Sequence, residues 1–265
     1  MNRYHGAIQE VFSVNHKKGS KRVAFGRQEF DIVCDRLKID RIKNLGDIVY
    51  SFRYRDELPE AITKTAPTNC EWIILGTGKG LYEFRLAKKG KLEPASGRLQ
   101  IKIPDATPEV FKMYAAGSDE QALLTRVRYN RILDLFTGLT CYSVQNHLRT
   151  SVAGLGQIEV DEVYVGVGKN GAHFVLPCQA KSPGDQFGVV QVYQDYKYCT
   201  QQFPNAGCRP IAAQFTGDDS FAILELALSE EDEILQLVVV EERHYKLVPK
   251  DQITPADLAS YKQTI

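Results

Sequence analysis

The chain has 265 residues, 33 Lys and Arg balanced by 33 Asp and Glu, 43% hydrophobic residues and a mean hydropathy of −0.28. This apolar content excludes a disordered chain, and no run approaches the roughly 18 apolar residues of a membrane span. The N-terminal residues carry charges where a signal peptide needs an apolar run, so we expect no secretory signal. Six cysteines without a CxxC pair predict reduced thiols and a cytoplasmic protein.

The two halves of the chain carry opposite charge. Residues 1–140 contain 24 Lys and Arg against 17 Asp and Glu, whereas residues 141–265 contain 9 against 16. A basic front half suits contact with a polyanion, and a back half rich in carboxylates suits metal binding or acid–base chemistry. An uneven distribution of charged residues over an ordinary surface explains the same counts, so charge alone does not identify the function.

Helical patterns and a hairpin make up the first part of the chain. Apolar residues recur at helical spacing in three segments, 5–14, 27–37 and 44–52. Pro59 is placed to open a short helix. Residues 71–75 and 81–86 have the pattern of two strands, and the Gly- and Lys-rich segment 76–80 between them predicts a tight turn.

A polar segment rich in Gly and Pro, residues 88–108, predicts the boundary between two domains, which we place at 1–95 and 105–265. The segment contains a short alternating run at 99–103. Beyond the boundary, apolar spacing predicts a long helix at about 120–136 and a second helix at about 143–151.

The remainder of the chain is mostly strand. Residues 157–167 alternate, Asn170 and Gly171 predict a turn, and residues 173–181 run back as the second strand of a hairpin. A helical pattern follows at 188–199. Further strands are predicted at 210–215, 220–228 and 235–248, with an acidic turn at 229–233. This order predicts an α/β fold, a mixed β-sheet flanked by helices.

Polar residues share faces of the predicted hairpin. Glu159 and Asp161 are two residues apart, so both side chains leave the same face, and Gln179 and Lys181 likewise share a face at the end of the second strand. Paired carboxylates are hard oxygen ligands for Mg²⁺, and an ammonium can neutralise phosphate charge or orient an attacking water. The alternative is a surface strand with solvated acids and one salt-bridged lysine.

Asp161, the hairpin turn and Gln179-Ala180-Lys181 resemble the D…(D/E)XK signature of the PD-(D/E)XK nuclease superfamily, which contains most Type II restriction endonucleases. The resemblance covers about residues 120–200 and implies a restriction-endonuclease-like fold with a helix before the hairpin. It implies that Asp161 binds Mg²⁺, for which Mn²⁺ can substitute, that the carbonyl of Ala180 is a further ligand, and that Lys181 serves the attacking water. In the following helix, Gln191 would contact phosphate or brace Lys181.

The chain departs from that signature at Gln179, which stands where the superfamily has its second acid. A neutral amide oxygen is a poorer Mg²⁺ ligand than a carboxylate, so the lost charge must be made up elsewhere. Glu159 is the expected compensator and a third candidate ligand, because it projects from the same face as Asp161.

Residues 1–90 resemble a winged helix-turn-helix, because helices are followed by a hairpin with Lys79 at its tip. This resemblance implies a small, helical DNA-binding domain in front of the nuclease-like domain. Basic residues would supply attraction to phosphate that does not depend on base sequence. The candidates are Lys17, Lys18, Lys21, Arg22, Arg53, Arg55 and Lys79.

Together these features predict a Mg²⁺-dependent endonuclease that hydrolyses double-stranded DNA to 5′-phosphate and 3′-hydroxyl ends. Cutting both strands needs two active sites, so the restriction interpretation predicts a homodimer and leaves room for a cognate methyltransferase. A solitary defence or repair nuclease fits the same motif.

Two other functions remain open. One is a regulator that has lost the metal through Gln179 and uses the nuclease-like domain to bind DNA and dimerise. The other is a small-molecule enzyme that uses Glu159 and Asp161 for acid–base chemistry. Two local alternatives are disfavoured. The turn 76–80 lacks the spacing of a phosphate loop, which argues against nucleotide binding. Cys178 should point into the core, which argues against a thiol nucleophile.

Overall fold

The computed structural model describes residues 3–90, 92–115, 119–217 and 219–262. Within these ranges the helices are α1 Arg3–Asn15, α2 Glu29–Leu37, α3 Leu45–Tyr54, α4 Glu60–Thr63, α5 Glu109–Ala115, α6 Glu120–Tyr129, α7 Ile132–Thr137, α8 Val189–Gln202 and α9 Pro255–Lys262. The strands are β1 Arg22–Gly26, β2 Cys70–Gly78, β3 Leu81–Lys88, β4 Gln100–Pro104, β5 Thr140–Val152, β6 Gly156–Val167, β7 His173–Lys181, β8 Gly207–Cys208, β9 Ile211–Gly217, β10 Ser220–Glu231 and β11 Ile234–Val248.

The apolar positions of the first three helices pack against an antiparallel part of the sheet. Strands β1 and β2 both pair with β3, so β3 lies between them. Phe12 of α1 contacts Trp72 and Phe84 edge to face, at ring separations of 5.3 Å and 5.0 Å. The predicted helices and the predicted hairpin are therefore present, and their apolar faces form one core.

The C-terminal strands form the larger part of a mixed sheet. Its order is β1-β3-β11-β10-β9-β7-β6-β5. Strands β5, β6 and β7 are an antiparallel meander, and α8 connects β7 to β9, which runs parallel to β7. The prediction of an α/β fold with a mixed sheet flanked by helices is confirmed at this level.

The predicted long helix at 120–136 is wrong in one respect, because two helices occupy it. Helix α6 ends at Tyr129, and Arg131 has a left-handed backbone with φ of 52°, which a continuous α-helix does not allow. The Asn130 amide donates to Thr107 Oγ1 at 3.1 Å and accepts from Ala106 N at 2.7 Å. These bonds anchor the break to the preceding loop.

The helix predicted at 143–151 is also wrong, because these residues belong to strand β5. They pair with β6 from Thr140↔Val167 to Val152↔Gly156, with a register shift between Ser143 and Gln145. Pairing of β5 along the length of β6 outweighs the weak helical spacing of apolar residues in this segment. His147, which the sequence placed on a helix, therefore lies on a strand, with φ of 49°.

The acidic turn is shorter than predicted. Strand β10 extends through Glu231, and the chain reverses at Asp232 and Glu233, whose φ angles are 49° and 60°. Positive φ at both central residues is the geometry of the two-residue turn that matches strand twist.

The predicted domain boundary lies in the segment that contains β4. Strand β4 runs parallel to the C-terminal end of β11, and β3 meets the other end of β11 through the pair Leu235↔Ala87. The sheet thus joins residues on both sides of the boundary, and the division into 1–95 and 105–265 stays a prediction. All six cysteines are free thiols.

Candidate active site

Strands β6 and β7 place the predicted residues on one side of the sheet. Cys178 and Ala180 pack in the core beneath α6, so the alternating residue Gln179 points to the opposite face, where α8 lies, and Lys181 follows as the last residue of the strand. Asp161 comes to the same place, because its Oδ2 accepts the main-chain N–H of Ala180 at 2.8 Å. The structure therefore brings Asp161, Ala180 and Lys181 together.

Asp161 is an acid in a partly dry environment. Burial raises the pKa of its carboxyl above the ordinary value, while the Ala180 N–H and the Lys181 ammonium act in the opposite direction. Within the described part of the chain, the second oxygen, Oδ1, has no hydrogen-bond donor. That oxygen is the one available to a cation.

Glu120 joins this group, although no sequence motif singled it out. Helix α6 begins at Glu120, after Asp119 caps the helix by accepting Ala122 N at 2.8 Å. The Lys181 Nζ lies 3.6 Å from Glu120 Oε1. Burial raises the pKa of Glu120, Lys181 opposes that effect, and Asp161 adds to it. Lys181 thus lies where two carboxylates meet.

Gln179 is buried and held by a second acid that the sequence did not indicate, Asp195 of α8. The Gln179 Nε2 donates to both oxygens of Asp195, each at 3.1 Å, and to the main-chain oxygen of Glu159 at 3.3 Å. Asp195 is 1% exposed, and burial raises its pKa to about 8. Since Nε2 is engaged, Oε1 is the end of the amide that remains for a ligand.

The expected compensator, Glu159, has other partners. Its carboxylate lies 3.1 Å from His147 Nε2 and 3.1 Å from Arg149 Nη2, and the side chain is about half exposed. Glu159 is close enough to Asp161 to raise the pKa of that carboxyl. His147 therefore approaches the site from strand β5, the edge strand next to β6.

The donor set matches the habits of Mg²⁺, which binds through one or two carboxylates and keeps several waters. Asp161 and Glu120 would be the two carboxylates, and the Gln179 amide oxygen and the Ala180 carbonyl would be the neutral oxygens. In the ranges that the structure describes, no group of three or more His, Cys, Asp or Glu side chains is arranged to hold a metal. The fit therefore rests on two acids and neutral oxygens.

The loop that follows Lys181 is fixed by Gln214 of β9. The Gln214 Nε2 donates to the main-chain oxygens of Ser182 at 2.9 Å and Asp185 at 2.7 Å. A cleft of about 760 Å³ opens beside this loop, and Arg98, Arg126 and His244 are among its lining residues. The cleft adjoins the site, but the carboxylates of the site itself are not among its lining residues.

The basic residues predicted to contact DNA are in two different situations. Lys17, Lys18, Arg55 and Lys79 are exposed. Lys21 and Arg22 form ion pairs with acids of the same chain, Lys21 with Asp232 and Arg22 with Glu83, although Arg22 is also exposed.

Arg53 and Gln191 are both partly buried. The Arg53 Nε and Nη2 are buried without an acceptor among the described residues, and its guanidinium lies 5.2 Å from the centre of the Tyr54 ring. Gln191 is in the first turn of α8.

Buried residues near the site have structural roles. Glu162, whose side chain points to the α6 face, is fully buried and receives Arg128 through Nε at 2.8 Å and Nη2 at 2.9 Å. Cys178 is fully buried, as predicted, and burial raises the pKa of its thiol well above the ordinary value. A reactive thiolate is therefore excluded at that position.

Comparisons with protein-family models, with curated proteins and with solved structures give no match for this chain. Across the described residues, no helix is both long enough and apolar enough to cross a membrane.

Proposed function

We propose that this protein is a metal-dependent DNA endonuclease of the PD-(D/E)XK type. The observation that carries the proposal is the meeting of Asp161, Glu120 and Lys181 at the end of β7, with Lys181 Nζ 3.6 Å from Glu120 and Asp161 bonded to Ala180 N. The order of α6, the hairpin of β6 and β7, and α8 also agrees with what the resemblance implies.

The residues have separate tasks in this mechanism. Asp161 Oδ1, a Glu120 oxygen, the Ala180 carbonyl and Gln179 Oε1 would hold Mg²⁺. When bound, Mg²⁺ makes water more acidic and neutralises charge on the phosphate. The Lys181 ammonium orients the attacking water and stabilises negative charge on the phosphate oxygens. The attacking water gives up a proton to solvent, and its oxygen bonds to phosphorus as the bond to O3′ breaks. O3′ takes up a proton from solvent, which leaves 5′-phosphate and 3′-hydroxyl ends.

The N-terminal part would hold the DNA. Its helices α1, α2 and α3 and the hairpin of β2 and β3, with β1 alongside, are in the order that a winged helix-turn-helix implies. Exposed Lys17 and Lys18 lie in one turn, and exposed Lys79 lies at the hairpin tip. Such contacts attract phosphate without reading bases. A homodimer would supply the second active site needed to cut both strands.

Plasmid cleavage tests this proposal. We expect the purified protein to cut plasmid DNA with Mg²⁺ or Mn²⁺ and not with EDTA. Lys181→Ala and Asp161→Asn should each reduce the cleavage rate by about 100-fold or more, because charge stabilisation of this kind contributes at that level. Lys169→Ala is the matched control, since Lys169 is exposed at the turn of the same hairpin. Cleavage that survives Lys181→Ala would remove the assignment.

The alternative is a catalytically inactive regulator that binds DNA and dimerises through the nuclease-like domain. One observation favours it: within the described residues, the site holds two carboxylates and not a set of three acidic or imidazole ligands. The same experiment separates the two functions. A regulator would retard DNA in a gel with or without metal and leave plasmid intact under all conditions.

A further inference from the structure

Helix α3 presents two aromatic side chains at the surface. Its apolar residues, Ile48 and Phe52 among them, are buried in the N-terminal core. Tyr50 and Tyr54 lie outside that core and are 47% and 39% exposed. The two tyrosines are four residues apart, so their rings are neighbours on the helix, with ring centres 5.1 Å apart. Adjacent exposed rings form a contiguous apolar surface, which is a feature of interaction sites.

An arginine lies over each ring. The Arg55 guanidinium is 4.8 Å from the centre of the Tyr50 ring, and the Arg53 guanidinium is 5.2 Å from the centre of the Tyr54 ring. Among the described residues, no acid forms an ion pair with either arginine, and Arg53 Nε and Nη2 have no acceptor. Both positive charges are therefore left without an acidic partner. We call these four side chains the α3 platform.

The α3 platform adjoins the helix that also contacts the candidate active site. Tyr54 Oη donates to Gln194 Oε1 of α8 at 3.0 Å, and Gln194 is buried. Asp195, the next residue of α8, contacts the Gln179 amide. The hydroxyl end of Tyr54 is thus anchored where α3 meets α8, while its ring stays partly exposed. A ligand on the platform would lie beside the element that follows the Lys181 loop.

The chemistry of the α3 platform suits a ligand that is both flat and anionic. Tyrosine rings and guanidinium planes stack on nucleobases, and arginines without acidic partners attract phosphate. A strand of unpaired nucleotides offers both groups together, because every base has a π face. In a regular duplex those faces are covered by the neighbouring base pairs, so a duplex would meet the arginines but not the rings.

We propose that the α3 platform binds unpaired nucleotides, and that the substrate is DNA with a single-stranded stretch beside the position of cleavage. The substrate class rests on the proposed function. The binding does not, because the platform contains none of the candidate metal ligands. The phosphate contacts of the N-terminal part ignore the bases, whereas this contact needs them.

Removing the bases tests the proposal. Fluorescence anisotropy in EDTA measures binding of the full chain to a labelled single strand of thymidines and to the same strand with abasic sites. Wild type should bind the thymidine strand about 5- to 150-fold more tightly, which is the range expected for stacking of one base. Tyr50→Ala with Tyr54→Ala should bind the thymidine strand no better than the abasic strand, and its affinity for the abasic strand should match that of wild type.

Three further variants separate stacking from other effects. Tyr54→Phe keeps the ring and loses the bond to Gln194, so it should bind the thymidine strand within a few-fold of wild type. Arg55→Lys keeps the charge and loses the planar group, so it should weaken binding of the thymidine strand alone. Because Arg55 is exposed, this variant decides the matter even if the double tyrosine variant unfolds. Tyr142→Ala is the matched control, since Tyr142 is 56% exposed on β5, outside the platform.

Cleavage assays in Mg²⁺ test the substrate class. A duplex with a single-stranded tail should be cut faster than the same duplex with blunt ends, and Tyr50→Ala with Tyr54→Ala should remove that difference. Equal cleavage of both substrates by wild type would refute the substrate class.

Failure of this inference and failure of the proposed function give different results. If wild type cuts DNA but binds the thymidine and abasic strands equally, or if the double tyrosine variant and Arg55→Lys both keep the wild-type preference, the platform is refuted and the nuclease proposal stands. If wild type cuts no DNA but its preference for bases is lost in the variants, the proposed function and the substrate class are refuted, while the binding of unpaired nucleotides is supported.

Discussion

The two acids that the sequence did not indicate, Glu120 and Asp195, lie on helices on either side of the hairpin. Glu120 is the first residue of α6, a position where an acid interacts favourably with the helix dipole and is usually solvated. Asp195 lies within α8 between Gln194 and Tyr196 and has no motif around it. Asp161 and Lys181 were predictable because strand alternation places them, whereas these two acids reach the site only through helix packing.

The pKa of Asp195 predicts an unusual dependence of stability on pH. The folded value of about 8 exceeds the value of about 3.9 for an unfolded aspartate, so the folded state binds the extra proton between them. The favourable contribution is complete below the unfolded pKa and is lost as pH rises through about 8. Metal-free wild type should lose stability relative to Asp195→Asn between pH 5 and 9.

Urea denaturation in EDTA across that pH range measures the effect. The difference in unfolding free energy between wild type and Asp195→Asn should change by up to about 1.4 kcal/mol per pH unit. Asp185→Asn, which alters an exposed acid, controls for general charge effects. A difference that stays constant with pH would show that Asp195 titrates normally in the folded protein.

Among the secondary-structure elements, strands β6 and β7 were predictable from the sequence, whereas the edge strand β5 was not. Alternation in 157–167 and the Asn170-Gly171 turn predicted β6 and β7, and the turn is closed by Gly168 N donating to Ala172 O at 2.8 Å. Strand β5 contains Gln145, Asn146 and His147 in succession and lacks alternation. Its conformation depends on pairing with β6, which local sequence does not record.

Strand β2 approaches the turn between β5 and β6 closely, and Gly76 makes this contact possible. A Cβ built on Gly76 would overlap the main-chain oxygen of Leu155. Gly76→Ala should therefore destabilise the protein by about 1–3 kcal/mol, as inserted methyl groups do in tight packing. Urea denaturation measures it. Gly90→Ala is the control, because a Cβ on Gly90 meets nothing within 4 Å, and equal effects of the two changes would contradict the packing argument.

In the molecule as a whole, ion pairs between the basic half and the acidic half of the chain neutralise part of the charge asymmetry. Lys21 of the basic half pairs with Asp232 of the acidic half, and Arg85 Nη2 lies 2.5 Å from Glu230. Net charge therefore overstates the number of cationic side chains that are available to a polyanion. Lys17 and Lys18 are exposed in the turn after α1, and they form an adjacent basic pair that is open to a polyanion.

The contribution of Lys17 and Lys18 should be visible in how strongly DNA binding depends on salt concentration. Each lysine that neutralises a phosphate contributes about 0.9 to the slope of log K against log salt concentration, so replacing Lys17 and Lys18 by Ala should reduce the slope by about 2. Fluorescence anisotropy with a labelled duplex between 50 and 300 mM NaCl, about the range where such slopes are measured, gives both slopes. Lys169→Ala with Lys250→Ala is the control for lost charge, because both lysines are exposed and belong to the acidic half of the chain. An unchanged slope for the first variant, or an equal loss in the control, would mean that the turn after α1 does not bind the phosphate backbone.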